Sequence, residues 1–150
     1  MSMSPFYRKM RVKETAHVEK LATRTILVDT TLQPEDSGKV IFVGPTGVDI
    51  ILPDPPFDGC NFLFILRSNN VTTKCTISCN ATGEFFAGSV ATATHDTTVD
   101  SAIFDGSTHD VIDIATTAEQ GDWLHIISDG STWFVSGFSS LAASFVAATS

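Results

Sequence analysis

The chain has 150 residues, 43% of them hydrophobic and 17% charged, with a formal net charge of −8. That size suits one domain with a real core, and the balance of apolar and charged residues excludes disorder throughout. Charge is unevenly placed: residues 1 to 24 hold six of the nine basic side chains (Arg8, Lys9, Arg11, Lys13, Lys20 and Arg24) against two acids, a local +4, which leaves −12 for residues 25 to 150. A body so acidic repels phosphate backbones, so no nucleic-acid partner is expected.

Residues 1 to 24 are polar and basic, with Val12, Val18 and Leu21 too sparse for an amphipathic helix, and read as an extended or partly helical arm. The start lacks the apolar core of a signal peptide and no run approaches 18 apolar residues, so a soluble, cytoplasmically made protein without a membrane partner is expected. From Thr25 short apolar runs alternate with Gly, Pro, Asp and Asn, and eleven Phe with many Val, Ile and Thr favour strands. The expected fold is all-β, an antiparallel β-sandwich or β-barrel over residues 25 to 150 behind the N-terminal arm. Strands are expected over Thr25–Leu32, Lys39–Val43, Val48–Leu52, Asn61–Leu66, Val71–Cys79, Thr98–Phe104, Asp110–Ala115, Asp122–Ser128 and Thr132–Phe138.

Pro53-Asp54-Pro55-Pro56 must end the strand before it, because three of its residues cannot donate ladder bonds. Between Val71 and Cys79, residues 71, 73, 75, 77 and 79 are expected to face inward. Ala81 to Thr98 reads as a long loop or a short strand pair. Asp129-Gly130 suits a type I′ hairpin turn. The uncharged tail from Leu141 is expected to be buried, on its own body or against a second subunit. The DxSG and SDG turns recur without a fixed period, so no solenoid is indicated.

Little in the chain points to catalysis. It has no GxSxG elbow, HExxH helix, Walker loop, GxGxxG fingerprint or EF-hand loop, and no catalytic residue, cofactor or metal site is assigned. His95, Asp96, Asp100, Asp105, His109 and Asp110 form an acidic stretch that would suit a cation, but their spacing fixes no ligand set, and a solvent-facing loop is the simpler account. Cys60, Cys75 and Cys79 are odd in number. The last two would stand roughly 13 Å apart along one strand, beyond disulfide reach, so all three are expected to be reduced, packed thiols. Of Trp123, Trp133, Phe134 and Phe138, at least half are expected in the core, and any left outside would suit stacking on sugar rings.

Two segments carry a resemblance: Leu32-Gln-Pro-Glu-Asp-Ser-Gly-Lys-Val-Ile-Phe-Val with Val48-Asp-Ile-Ile-Leu-Pro and Gly59-Cys-Asn-Phe-Leu-Phe, and Gly121-Asp-Trp-Leu-His-Ile-Ile-Ser-Asp-Gly-Ser-Thr-Trp-Phe-Val-Ser-Gly. Together they resemble β-structured virion proteins of tailed bacteriophages, in particular capsid decoration (cement) proteins, with a pattern shared by tail-fibre segments. The resemblance implies a non-enzymatic oligomer, commonly a homotrimer, on the virion surface with the major capsid protein as partner. The basic arm, through Arg8, Lys9, Arg11 and Lys13, is the expected contact with neighbouring capsid or decoration subunits. The alternative is a tail-associated or fibre module that binds a host-surface glycan. A metal-dependent hydrolase built on the Thr94–Asp113 acids stands third.

Overall fold

The structure is a computed structural model and describes residues 21–44, 47–54, 57–68, 72–93 and 102–150. The chain first alternates between two sheets: β1 (Thr23–Ile26), β2 (Thr30–Thr31), β3 (Val40–Val43), β4 (Asp49–Ile51), β5 (Asp58–Leu66) and β6 (Cys75–Ser78). The odd-numbered strands of this set pair in parallel in one sheet and the even-numbered ones pair in parallel in the other. This half of the body is therefore a short flattened coil. The chain then runs through β7 (Phe86–Thr92), β8 (Ala102–Asp105), β9 (Val111–Ile114), β10 (Trp123–Asp129), β11 (Trp133–Ser139) and β12 (Phe145–Ala148). The larger sheet has the order β1-β3-β5-β10-β11-β7-β8 and the smaller one β12-β9-β6-β4-β2.

The two sheets face each other across one apolar core, which makes the molecule an all-β sandwich. Alternation decides which side chains enter it. On β5, Cys60, Phe62, Phe64 and Leu66 are buried while Asn61, Leu63 and Ile65 are half-buried on the other side. Leu124 and Ile126 of β10 and Trp133 and Val135 of β11 extend the same layer. Ile50, Ile77, Ile112 and Ile114 meet it from the smaller sheet. Phe62 anchors the centre, with ring centroids 6.1 Å from Phe64 and 6.2 Å from Trp133. Burying each such side chain is worth about 1.5–3 kcal/mol.

Polar groups fix the connections. A 3₁₀ turn at Pro34–Asp36 precedes β3, and its buried Asp36 accepts from the Gln33 amide at 3.1 Å while pairing with Arg24 and Lys39. Gly38, at φ +81°, closes this Asp-Ser-Gly turn. Asp122 is 1% exposed and fully engaged: one oxygen takes the Ser140 amide and hydroxyl, each at 2.8 Å, and the other the Glu119 amide at 3.0 Å. It thereby ties the entry to β10 to the exit from β11.

Several expectations need correction. The sheets are mixed rather than purely antiparallel, because the coil forces parallel neighbours. The coil itself left no period in the sequence: Thr23 pairs with Val40 and Val40 with Leu63, steps of 17 and 23 residues, while Thr30–Ile50–Ile77 takes steps of 20 and 27. Strand pairing begins at Thr23, so Arg24, counted with the arm, stands in β1. The region after Ala81, read as a long loop or a short strand pair, contains the seven-residue strand β7, parallel to β11. Gly88 disguised it: at φ +131°, an added Cβ there would lie 2.0 Å from the Val135 carbonyl oxygen, so the close approach of the two strands demands glycine. β6 is shorter than expected, with Cys75 and Ile77 inward, Thr72 and Thr73 exposed, and Val71 outside the described residues. At the β10–β11 turn, positive φ falls on Gly130 alone, not on two successive residues as type I′ requires. The Asp129 carboxylate holds the turn instead, accepting from the amides of Ser131 and Thr132 at 2.9 Å each. The tail contains strand β12 and is buried only in part: this chain's own β9 and core cover Phe145, while Leu141 and Val146 are exposed.

Candidate functional site

The outer faces of the two sheets differ in chemistry. On the smaller sheet, Thr76 donates to Asp49 at 2.7 Å and Lys74 pairs with Asp113 at 2.9 Å, cross-strand contacts suited to water. A shallow depression of about 380 Å³ on that side is lined by these groups with Ser78, Thr149 and Ser150. The larger sheet presents three rows of a different kind. Register aligns Thr25, Phe42, Ile65, Trp123, Phe138 and Ala91 in one. The middle row is Thr23, Val40, Leu63, His125, Ser136, Ser89 and Ile103, and the third is Asn61, Ile127, Phe134, Ala87 and Asp105.

Within these rows the only ionisable side chains are His125 at the centre and Asp105 at a corner. Trp123, Ile127, Phe134 and Phe138 are 37%, 39%, 44% and 40% exposed, and Ile103 is 69% exposed. Neighbouring strands lie about 4.8 Å apart and residues on one strand rise about 3.3 Å each, so from β3 to β8 the three rows span on the order of 25 Å by 13 Å between backbone positions. The rows together expose roughly 500 Å² of surface, much of it from five large apolar side chains each more than a third exposed, at the upper end of the patches that soluble monomers present and in keeping with a contact surface. This face is the candidate site.

Neither a scan of protein-family profiles nor a search of curated proteins finds a match to this chain. Function must be read from the surface itself.

The residues singled out in the sequence fall as follows. Arg8, Lys9, Arg11 and Lys13 of the arm lie outside the described residues, as do His95, Asp96 and Asp100. Of the remaining acidic stretch, Asp105 is occupied by its own loop, accepting from the Ser107 and Thr108 amides at 2.9 Å each, with His109 Nδ1 3.2 Å away. These bonds, led by the Thr108 hydroxyl, hold its carboxyl well below the usual carboxylate range. Asp110 accepts from the Ser150 amide at 2.8 Å and from its hydroxyl, which anchors the end of the chain and lowers the Asp110 pKa. Among the described residues, no three His, Cys, Asp or Glu side chains converge as metal ligands, and no helix is long and apolar enough to cross a membrane.

None of the three cysteines forms a disulfide. Cys60 and Cys75 are buried, and burial raises both; Cys79 is half-buried and pushed up to about 12, by burial first and then by the charges of Glu84 and Asp110. A thiol held so far above neutrality is a poor nucleophile. Glu84 itself, with 9% exposure, has a raised pKa, chiefly through burial and with a further push from Asp54.

The aromatic set divides less evenly than expected. Trp133 alone is in the core, while Trp123, Phe134 and Phe138 point outward because Leu124, Ile126, Trp133 and Val135 already take the inward positions. The sequence carried a signal for this: Ile126-Ile127 and Trp133-Phe134-Val135 are apolar on both parities, as strands covered on two faces are.

Proposed function

We propose that this chain is a non-catalytic structural protein of a virion, binding the outer surface of a phage capsid and stabilising it as an oligomeric decoration protein. The observation that carries an assembly role is the broad, almost uncharged outer face of the larger sheet, on a body that spends its buried and loop carboxylates on its own turns. Such a face meets protein rather than solvent. The virion setting is supported by the resemblance of residues 32–64 and 121–137 to phage decoration proteins. The basic arm suits an acidic shell, and several arms on one oligomer multiply modest contacts into avidity gains of roughly 10²–10⁴.

Co-sedimentation with expanded capsids that lack the protein tests this reading. Saturable binding at a fixed ratio to the major capsid protein is expected, weaker at high salt because salt screens the attraction of the basic arm. Absence of binding at low and high salt overturns it. A second reading, a tail-associated module for a host-surface glycan, draws on outward-facing Trp123, Phe134 and Phe138, whose rings are able to stack on sugars. Binding to host cells and none to capsids selects it.

A further inference from the structure

We infer that the outer face of the larger sheet is a self-association surface, on which a second copy of this chain packs sheet against sheet. The inference takes from the proposed function only the idea that this face meets protein. Three features favour another copy over a different partner. The first is charge: two chains, each with a formal net charge of −8, repel, so their contact must exclude like charges, and the rows here carry only His125 and Asp105. A face matched to a strongly charged partner would carry the opposite sign.

The second feature is the distribution of bulk. Trp123 with Phe138 fills one end, Ile127 with Phe134 the other, and His125 with Ser136 lies between them. A two-fold axis along this middle row sets the first pair of one copy over the second pair of the other, so that every large apolar pair meets another in an isologous contact. The third is size. A face of roughly 500 Å² on each copy removes on the order of 1,000 Å² in total, which reaches the floor for a specific interface. A glycan is less well matched, because aliphatic Leu63, Ile65 and Ile127 surround the rings where a sugar needs hydrogen-bonding groups.

Sedimentation velocity on the full chain over a hundredfold range up to about 100 μM tests the inference, that range covering the affinity of a small specific interface. The wild-type chain is expected to be a dimer, or a larger closed oligomer that contains this contact. Phe134→Lys and Phe138→Lys should each weaken self-affinity by roughly 30-fold or more, as loss of a central aromatic anchor does. Val146→Lys, exposed on the smaller sheet, should leave assembly unchanged. Circular dichroism verifies folding, and the milder Ile127→Thr replaces any lysine variant that fails to fold. Trp133 is buried in the core and Trp123 stands on the face, so dilution of the wild type should red-shift tryptophan emission through Trp123 alone.

A wild-type chain that stays monomeric at the highest concentration overturns the inference, as does an oligomer unaffected by the face variants. A monomer that still sediments with capsids refutes self-association, and with it the oligomeric part of the capsid reading, and leaves capsid attachment standing. An oligomer that ignores capsids does the reverse.

Discussion

Gly88→Ala is the sharpest test of how β7 joins the larger sheet. The backbone there sits at φ +131°, a region costing an L-residue of order 1–3 kcal/mol, and the new methyl would lie 2.0 Å from the Val135 oxygen and 3.0 Å from its carbonyl carbon. No rotamer relieves a contact between Cβ and backbone, so β7 must withdraw from β11. That movement loosens neighbouring ladder bonds, each worth about 0.5–1.5 kcal/mol net, and the seating of Phe86 and Val90 in the core. The expected loss is about 3–5 kcal/mol, a large part of the 5–15 kcal/mol typical of a domain. Gly59→Ala supplies the comparison: φ is +81° but nothing lies within 4 Å of its added Cβ, so only the conformational cost of about 1–2 kcal/mol applies. Urea unfolding of both variants, followed by near-ultraviolet circular dichroism, measures the two losses. If Gly88→Ala costs no more than Gly59→Ala, the close β7–β11 approach and the parallel pairing built on it are wrong.

Asp36→Asn should cost roughly 1–2 kcal/mol near neutral pH, a modest figure because Arg24 and Lys39 remain partly in water. Burial works to raise the Asp36 pKa, but the Lys39 hydrogen bond, the Gln33 amide and the two cations outweigh it and hold the pKa below its ordinary value. Its contribution is thus complete above the unfolded carboxylate pKa and is lost as pH falls through the folded one; thermal melts at acid pH should show a shallower decline for Asp36→Asn than for wild type. Glu84 has the opposite sign. With its folded pKa raised, stability is fullest below the unfolded value and falls as pH rises through the folded one, so Glu84→Gln should flatten that fall in melts from pH 4 upward. Cys60, Cys75 and Cys79 should resist a thiol-specific disulfide reagent at pH 8 in the native protein and all react once it is unfolded; rapid native labelling would contradict their burial and raised pKa values. Removing residues 1–20, ahead of β1, should leave the circular dichroism spectrum of the body intact while weakening capsid co-sedimentation, and unfolding on truncation would show that the arm belongs to the core.

The sandwich was legible because local signals and burial agree along most of the chain. Val40–Val43, Cys60–Leu66 and Trp123–Val135 are rich in branched and aromatic residues, and punctuation bounds strands close to where the structure does, Asp36-Ser37-Gly38 ahead of β3 and Pro53-Asp54 after β4. What escaped notice has a common cause in non-local pairing. Phe86–Thr92 looks like a loop because Gly88 and Ser89 are poor strand formers, and only Val135, 47 positions later, explains the glycine. The coil was hidden because its turns differ in length and so leave no repeat to detect. The outward aromatic face was half visible: Trp123, Phe134 and Phe138 were noted, but register was needed to join them to Ile65, Leu63 and Ile127.

The position of the β10–β11 hairpin has a consequence for synthesis. It lies between β5 and β7, so that of the larger sheet's seven strands, β1, β3 and β5 reach β7 and β8 only through it. On the ribosome, a chain emerging at about 5–20 residues per second therefore displays two unfinished half-sheets, each with an open edge, for several seconds before the bridging strands arrive. Closure is thus deferred until residues 123–139 emerge. A nascent chain stalled before Trp123 holds most of the eventual core residues but has no means of joining the two halves, and its raw edges of β5 and β7 are where an identical nascent neighbour would attach.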